Sequence, residues 1–165
     1  MNCIDIETPL GTMLIAEDGD GLAGLWFTGQ RHFPADASNW PRHRTSLLTD
    51  AESQVLAYME GQRQTFDLPL ATQGTPFQQS VWQYLQTIPY GERHSYGQIA
   101  RSLKKPASAR AVGRAVGTNP WTLVIPCHRV VGSNGTLTGY AGGLERKKWL
   151  LAMEAESGQK TFTPN

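Results

Sequence analysis

Cysteine is nearly absent from this 165-residue chain: Cys3 and Cys127 are the only two, too far apart in sequence to form a ligand pair. That excludes a zinc ribbon and a disulfide-stapled scaffold, and leaves two free thiols of the kind a reducing compartment preserves. Long apolar runs are missing too. The first thirty residues hold none and carry Asp5, Glu7, Glu17, Asp18 and Asp20, so neither a secretory signal nor a membrane span is expected. The expectation is a soluble, cytoplasmic protein with enough chain for one domain or for two unequal lobes. Net charge is small as well, at +1, but only by cancellation. Residues 1–75 hold four Lys and Arg against ten Asp and Glu, whereas residues 76–154 hold ten against three. A basic second half suits a polyanionic partner; a solvated basic face is the plain alternative.

What is present begins with a three-stranded meander over residues 3–7, 13–16 and 22–27, punctuated by Pro9-Leu10-Gly11 and by Asp18-Gly19-Asp20-Gly21. From Gly29 to about Ser46 the apolar period is lost, and Pro34, Pro41, His32 and His43 mark a loop with surface histidines. Thr49-Asp50-Ala51-Glu52 has the form of a capping box for a helix through Met59 that Gly61 stops. Residues 68–72 read as extended, up to Gln73-Gly74, where a boundary is expected. The resulting division is an N-terminal lobe over 1–73, a second lobe over 74–157 and a polar tail over 158–165.

Thr75-Pro76-Phe77-Gln78 is a second capping box, followed by Phe77, Val81, Leu85 and Ile88 as a helical apolar stripe. Ser95-Tyr96-Gly97-Gln98 is a third, opening a helix through Leu103 that Lys104-Lys105-Pro106 breaks. Ser108 can cap the next helix, over 109–116, closed by Gly117. Two short helices about a tight turn have the proportions of a helix-turn-helix. On the second, Ala109, Ala111, Gly113, Ala115 and Gly117 are small, and Arg110 and Arg114 lie four apart on one face. Such a surface can approach a phosphodiester backbone closely; ordinary helix packing is the other reading.

Trp121–Ile125 reads as a buried strand ending at Pro126, which fixes its own φ and biases Ile125 to extended geometry. The thiol of Cys127 then stands at the strand's mouth, with His128 and Arg129 directly after it. A thiol acts through its thiolate, and an adjacent base or cation lowers its pKa toward the working range. A buried structural cysteine fits these four residues equally well. Asn134-Gly135 signals a tight turn after Val130-Val131, and Thr138-Gly139-Tyr140-Ala141-Gly142-Gly143 is a glycine-rich loop with one large side chain. It reads either as the wall of a flat-ligand pocket or as a plain connection. The last helix runs from Leu144 to about Glu156, with Leu144, Leu151 and Ala155 inward and Lys147 and Lys148 outward. Glu154 on its final turn opposes the helix dipole, and either faces solvent or orients His128.

With these residues in view, the chain resembles the O6-alkylguanine-DNA alkyltransferases of the bacterial stand-alone type. The likeness is dense from Thr75 to Glu154 and rests on Arg110-Ala111-Val112-Gly113, Asn119-Pro120, Pro126-Cys127-His128-Arg129-Val130 and Gly139-Tyr140-Ala141-Gly142-Gly143. Over the first seventy residues it is looser, resting on strand order and Thr8-Pro9-Leu10-Gly11. The resemblance implies an α+β fold: a small, ribonuclease-H-like N-terminal lobe with a three-stranded antiparallel sheet and helix, then a mainly helical lobe with the helix-turn-helix and the cysteine. It implies Cys127 as alkyl acceptor, His128 as base through a water, Glu154 as the group holding the imidazole and Asn119 as the tie between recognition helix and active-site strand. Arg110 would fill the gap left by a flipped guanine, Tyr96 would press on the neighbouring phosphate, and Arg114, Ala109, Ala111 and Gly113 would complete the DNA surface. Tyr140, Val130, Ala141 and Trp121 would line the pocket. The implied partner is double-stranded DNA carrying O6-alkylguanine, met by a monomer that needs no cofactor, no metal and no membrane; O4-alkylthymine stays open as a second substrate.

Flipping follows from chemistry, because an exocyclic oxygen inside a duplex is out of a side chain's reach, and extrusion costs on the order of a few kcal/mol. Thioether formation is irreversible toward water, so a single use per molecule is expected. Ala141 offers only a backbone N–H where some relatives carry a hydroxyl, which leaves room for bulkier adducts. Cys3 alone cannot build the N-terminal zinc site of some relatives. Alkyltransferase-like proteins that bind lesions without repair lack the acceptor cysteine that this chain has. Two rivals stand beside this reading: a thiol hydrolase using Cys127, His128 and Glu154, which would need an oxyanion hole, and a non-enzymatic regulator built on residues 95–117.

Overall fold

The computed structural model describes residues 1–103 and 108–162, with side chains as far as Ser157. Contacts divide it into two compact units: Met1–Thr72 with Pro120–Val124, and Gln73–Asn119 with the chain from Ile125 onward. A single cut near residue 73 therefore leaves out Pro120–Val124, which packs with the first unit.

The first unit is built on an antiparallel sheet of β1 (Asn2–Thr8), β2 (Gly11–Asp18) and β3 (Gly21–Phe27), in that order. Both faces are covered, so β3 is buried along its whole length. The helix α1 (Ser46–Met59) packs on β1 and β2 through Leu48, Ala51, Val55 and Tyr58. Phe33 and Trp40, from the loop that follows β3, close over Cys3, Leu14, Ala16, Ala23, Trp26 and Ala37. The helix starts before the expected capping box: the Thr45 side chain accepts from Leu48 N–H, and Thr49 already donates to Thr45 O. Thr45 precedes an apolar pair, Leu47-Leu48, and wins because it lets Leu48 enter the core.

Residues 68–72 form no strand, only an isolated bridge between Leu70 and Leu22. Nor is there a strand over Trp121–Ile125. Trp121 makes one parallel bridge with Leu25, after which Leu123 turns into a left-handed conformation at φ 76°. That turn breaks the pairing two residues before Ile125.

The second unit holds α2 (Pro76–Leu85), α3 (Tyr96–Ser102), α4 (Ala109–Gly117) and α5 (Leu144–Phe162). Reciprocal capping boxes open α2 at Thr75 and Gln78 and α3 at Ser95 and Gln98, and Ser108 caps α4. The expected break at Lys104-Lys105-Pro106 lies outside the described residues. Val81 and Leu85 on α2 and Ile88 just past it are buried, but Phe77 is exposed and Trp82 takes the inward place, donating its indole N–H to Ala115 O at 2.8 Å. A two-residue parallel ladder joins β4 (His94–Ser95) to β5 (Val130–Val131). Asn134-Gly135 does turn the chain, with Gly132 N–H donating to Thr136 O, yet no hairpin strand returns.

The last helix continues to Phe162, into the stretch expected to form a polar tail. Its phase is also rotated from the expected one. Leu144 and Ala155 are exposed, Leu150, Leu151 and Glu154 are buried, and Lys147 is fully buried.

Candidate active site

Within the second unit, Pro126 is the centre of an inverse γ-turn (φ −79°, ψ 65°) in which Cys127 N–H donates to Ile125 O at 2.7 Å. A single 3-10 turn, Cys127–Arg129, follows and places the thiol, the imidazole and the guanidinium on successive directions. The Asn119 amide, just past α4, donates to the same Ile125 carbonyl at 2.9 Å and also faces the Cys127 sulfur. One side chain thereby fixes both the turn and the nucleophile.

His128 is completely buried, and its Nε2 lies 2.7 Å from Glu154 Oε2. Glu154 is surrounded by donors. Oε2 also accepts from Arg129 Nη2 at 2.8 Å, while Oε1 accepts from Arg129 Nε at 2.9 Å and from Gly91 N–H at 3.2 Å. Gly91 reaches that position at φ 84°, a conformation side-chain-bearing residues avoid. Arg129 is held in turn by Ile88 O at 2.8 Å and stacks 5.5 Å from the Tyr90 ring centroid. Burial works against a charge on Glu154, but His128 and the forked Arg129 outweigh it and hold its carboxyl well below the usual range. A permanent carboxylate fixes the imidazole with Nε2–H donating, which leaves Nδ1 as its basic nitrogen.

Burial pushes the Cys127 thiol up, not down, against opposition from the Asn119 hydrogen bond, the Lys147 charge and the Tyr140 hydroxyl. The expected downward shift is therefore not met, because desolvation exceeds the neighbouring donors and cation. Burial likewise lowers His128, partly offset by Glu154, which favours its neutral form. The Tyr140 hydroxyl is buried, makes no hydrogen bond of good geometry among the described residues and leans on the sulfur as a weak donor. Burial and then Cys127 keep it protonated.

Lys147 was expected in solvent. Instead its Nζ donates to Thr138 O at 3.1 Å, and desolvation lowers its pKa to about 8 while the Cys127 thiolate supports its charge. The signal was available: Lys147 and Glu154 are seven apart, two helical turns, so a stripe phased on Glu154 carries Lys147 inward. Arg129's ion pair with Glu154 was likewise overlooked, although it sits beside His128 in the motif.

Of the other expected site residues, Val130 is buried in β5, with its N–H donating to Cys127 O, and Ala141 is half-buried in the Tyr140 loop. Trp121, expected to line the pocket, lies in the first unit. Its indole N–H donates to Leu22 O at 2.7 Å and the ring is buried in the first unit, so the side chain is spent on anchoring. On α4, Arg110, Arg114 and Ala109 are exposed and Ala111 is half-buried, whereas Ala115 faces the core. Gly113 points at α3: a Cβ there would lie 3.7 Å from the Tyr96 ring. Among the described residues no group of three His, Cys, Asp or Glu side chains is placed to hold a metal ion. No helix is long and apolar enough to cross a membrane, among the described residues.

Cys127 thus sits with an amide, a lysine and a nearby imidazole–carboxylate pair, in a chain with well-described relatives. Residues 2–72 match the ribonuclease-like domain of 6-O-methylguanine DNA methyltransferase, and residues 76–156 match its DNA-binding domain. The constitutive methylated-DNA–protein-cysteine methyltransferase of Bacillus subtilis is 44% identical over 90% of this chain and 92% of its own length. The Methanosarcina acetivorans protein of the same name is 43% identical over 90% and 94%. The chain belongs to this family. Among solved structures, the Mycobacterium tuberculosis OGT in complex with DNA superposes with a TM-score of 0.87 at 41% identity, covering 95% of this chain and 94% of that one. The α+β architecture expected from the resemblance is thereby met.

Proposed function

We propose that this methyltransferase-family protein repairs DNA by direct reversal, moving the alkyl group from O6 of guanine to its own Cys127, which is consumed in the process. The observation that carries the reading is Cys127 held by Asn119 beside a buried His128–Glu154–Arg129 set. His128 Nδ1 takes the thiol proton through one water, and the thiolate attacks the alkyl carbon. The S–C bond forms as the C–O6 bond breaks, its electron pair going to the purine, and the proton held by His128 returns to neutralise the guanine. General-base assistance of this kind contributes roughly 10²- to 10⁴-fold. Tyr140 and Lys147 stabilise the sulfur's charge as it appears.

Exposed Arg110 and Arg114 supply the charge that faces the duplex, with Arg110 filling the stack that the flipped base leaves. Tyr140, Ala141 and the Val130 backbone form the pocket. Two buried free thiols suit a reducing cytoplasm. No reading of the site as a hydrolase is needed, because no oxyanion hole is required for displacement at an alkyl carbon.

The test is to incubate the protein with duplex DNA bearing labelled O6-methylguanine. Label should move to the Cys127 peptide and plateau near one group per protein molecule. Sustained turnover, or label on any other residue, would overturn the proposal.

A further inference from the structure

Thr138 touches two parts of the second unit at once. Its hydroxyl donates to the Tyr96 hydroxyl at 3.3 Å, at the first turn of α3, and its carbonyl accepts from the buried Lys147 Nζ at 3.1 Å. Lys147 in turn shares its field with the Cys127 sulfur. Tyr140, which leans on that sulfur, is two residues further along the same loop. Among the described residues, no other residue of the loop hydrogen-bonds to α3.

From this we infer that Thr138 is a positioning residue that couples DNA contact at Tyr96 to the setting of the Tyr140 loop and Lys147 around the thiol. The coupling rests on the alkyl-transfer reading above. Because Thr138 is the donor, the Tyr96 phenol keeps its own proton for a phosphate or base acceptor, and accepting a hydrogen bond makes that phenol a better donor. Anything that moves or engages Tyr96 pulls on Thr138. The peptide of Thr138 carries the Lys147 contact, so the ammonium and the adjacent Tyr140 wall shift with it. A free base cannot engage Tyr96 as a duplex does, and its reaction does not use the coupling.

The experiment compares single-turnover transfer from an O6-methylguanine duplex with transfer from free O6-alkylguanine base, and reads the ratio of the two rates. Thr138→Val keeps the β-branched shape and removes the donor; Thr138→Ser keeps the donor. An exposed bond between neutral hydroxyls is worth about 0.5–1 kcal/mol, which is roughly two- to fivefold in rate. The ratio should fall two- to fivefold in Thr138→Val and stay at the wild-type value in Thr138→Ser. In a Tyr96→Phe background, Thr138→Val should cause no further fall, since the bond is already gone. Equal slowing of both substrates by Thr138→Val, or a Thr138→Ser variant that behaves like Thr138→Val, would overturn the coupling and leave only loop packing. A wild-type protein that transfers no alkyl group from either substrate would instead overturn the alkyl-transfer reading, and the coupling with it.

Discussion

The chain carries two buried free thiols, and only one is equipped for chemistry. Cys3 sits in β1 with its sulfur donating to Pro41 O at 3.6 Å, and Cys127 sits on the γ-turn between Asn119 and His128. Burial raises both above the ordinary thiol value. A cation is near both as well, since Arg42 opposes the rise at Cys3 as Lys147 does at Cys127. Low exposure and a neighbouring charge therefore do not separate them. Three things do. Arg42 is half-exposed and already paired with Asp5 at 2.9 Å, whereas Lys147 is desolvated. Cys127 has donors aimed at its sulfur. And it has an imidazole whose second nitrogen is fixed by a carboxylate.

The broadest test of that contrast removes each sulfur in turn. Cys127→Ala should abolish label transfer from O6-methylguanine duplex, leaving DNA binding by gel shift in place. Cys3→Ala should transfer at the wild-type plateau while costing about 1–2 kcal/mol in denaturant unfolding, the order of a small buried truncation. Transfer that survives in Cys127→Ala would erase the distinction.

Next in size is the support behind His128. Glu154→Gln leaves Arg129 buried without its counter-charge, which costs about 3–5 kcal/mol of stability, and it loosens the imidazole tautomer, with a fall of roughly 10²-fold in transfer rate. Glu154 also predicts the acid limb. Its folded pKa lies below the unfolded value of 4.5, so its stabilisation is complete above that pH and drains away as pH falls below it. Urea titrations from pH 6 down to 3 should show a steep loss in the wild type and a shallower one in Glu154→Gln.

How much of this was readable beforehand varied with the kind of signal. The meander, the capping boxes at Thr75 and Ser95 and the Ser108 cap are local codes written in consecutive residues, and they appear as read. Cys127 and His128, the proposed acceptor and base, also stand in one run of consecutive residues, so the motif that suggested them is local too. Errors arose where partners distant in sequence decide the outcome. Trp121 reads as the start of a strand, but Leu22 supplies an acceptor for its N–H from 99 positions away and only an isolated bridge forms. Lys147 reads as solvent-facing because lysine usually is, and only a thiol twenty residues earlier, with the Thr138 carbonyl, makes an interior ammonium tolerable. Thr45 displaced the expected cap because the core wanted Leu48.

The finest test of the two-thiol comparison separates Lys147's chemical value from its structural cost. With its folded pKa near 8 and its unfolded pKa near 10.5, the folded protein has released a proton between those values that the unfolded chain still holds. Stability thus rises with pH across that window, and below about 8 the full cost of a desolvated charge is present. Lys147→Met removes the charge at similar volume. At pH 7 it should unfold at the same or slightly higher urea concentration than wild type, yet transfer about tenfold more slowly, because the emerging thiolate loses its ammonium; tenfold corresponds to about 1.4 kcal/mol. The difference in stability between the two proteins should shrink toward zero as pH is raised from 8 to 10. Since raising pH also deprotonates Cys127, the wild-type rate should flatten above pH 8 while the Lys147→Met rate keeps climbing. Parallel pH–rate profiles would show that Lys147 does no more for Cys127 than Arg42 does for Cys3.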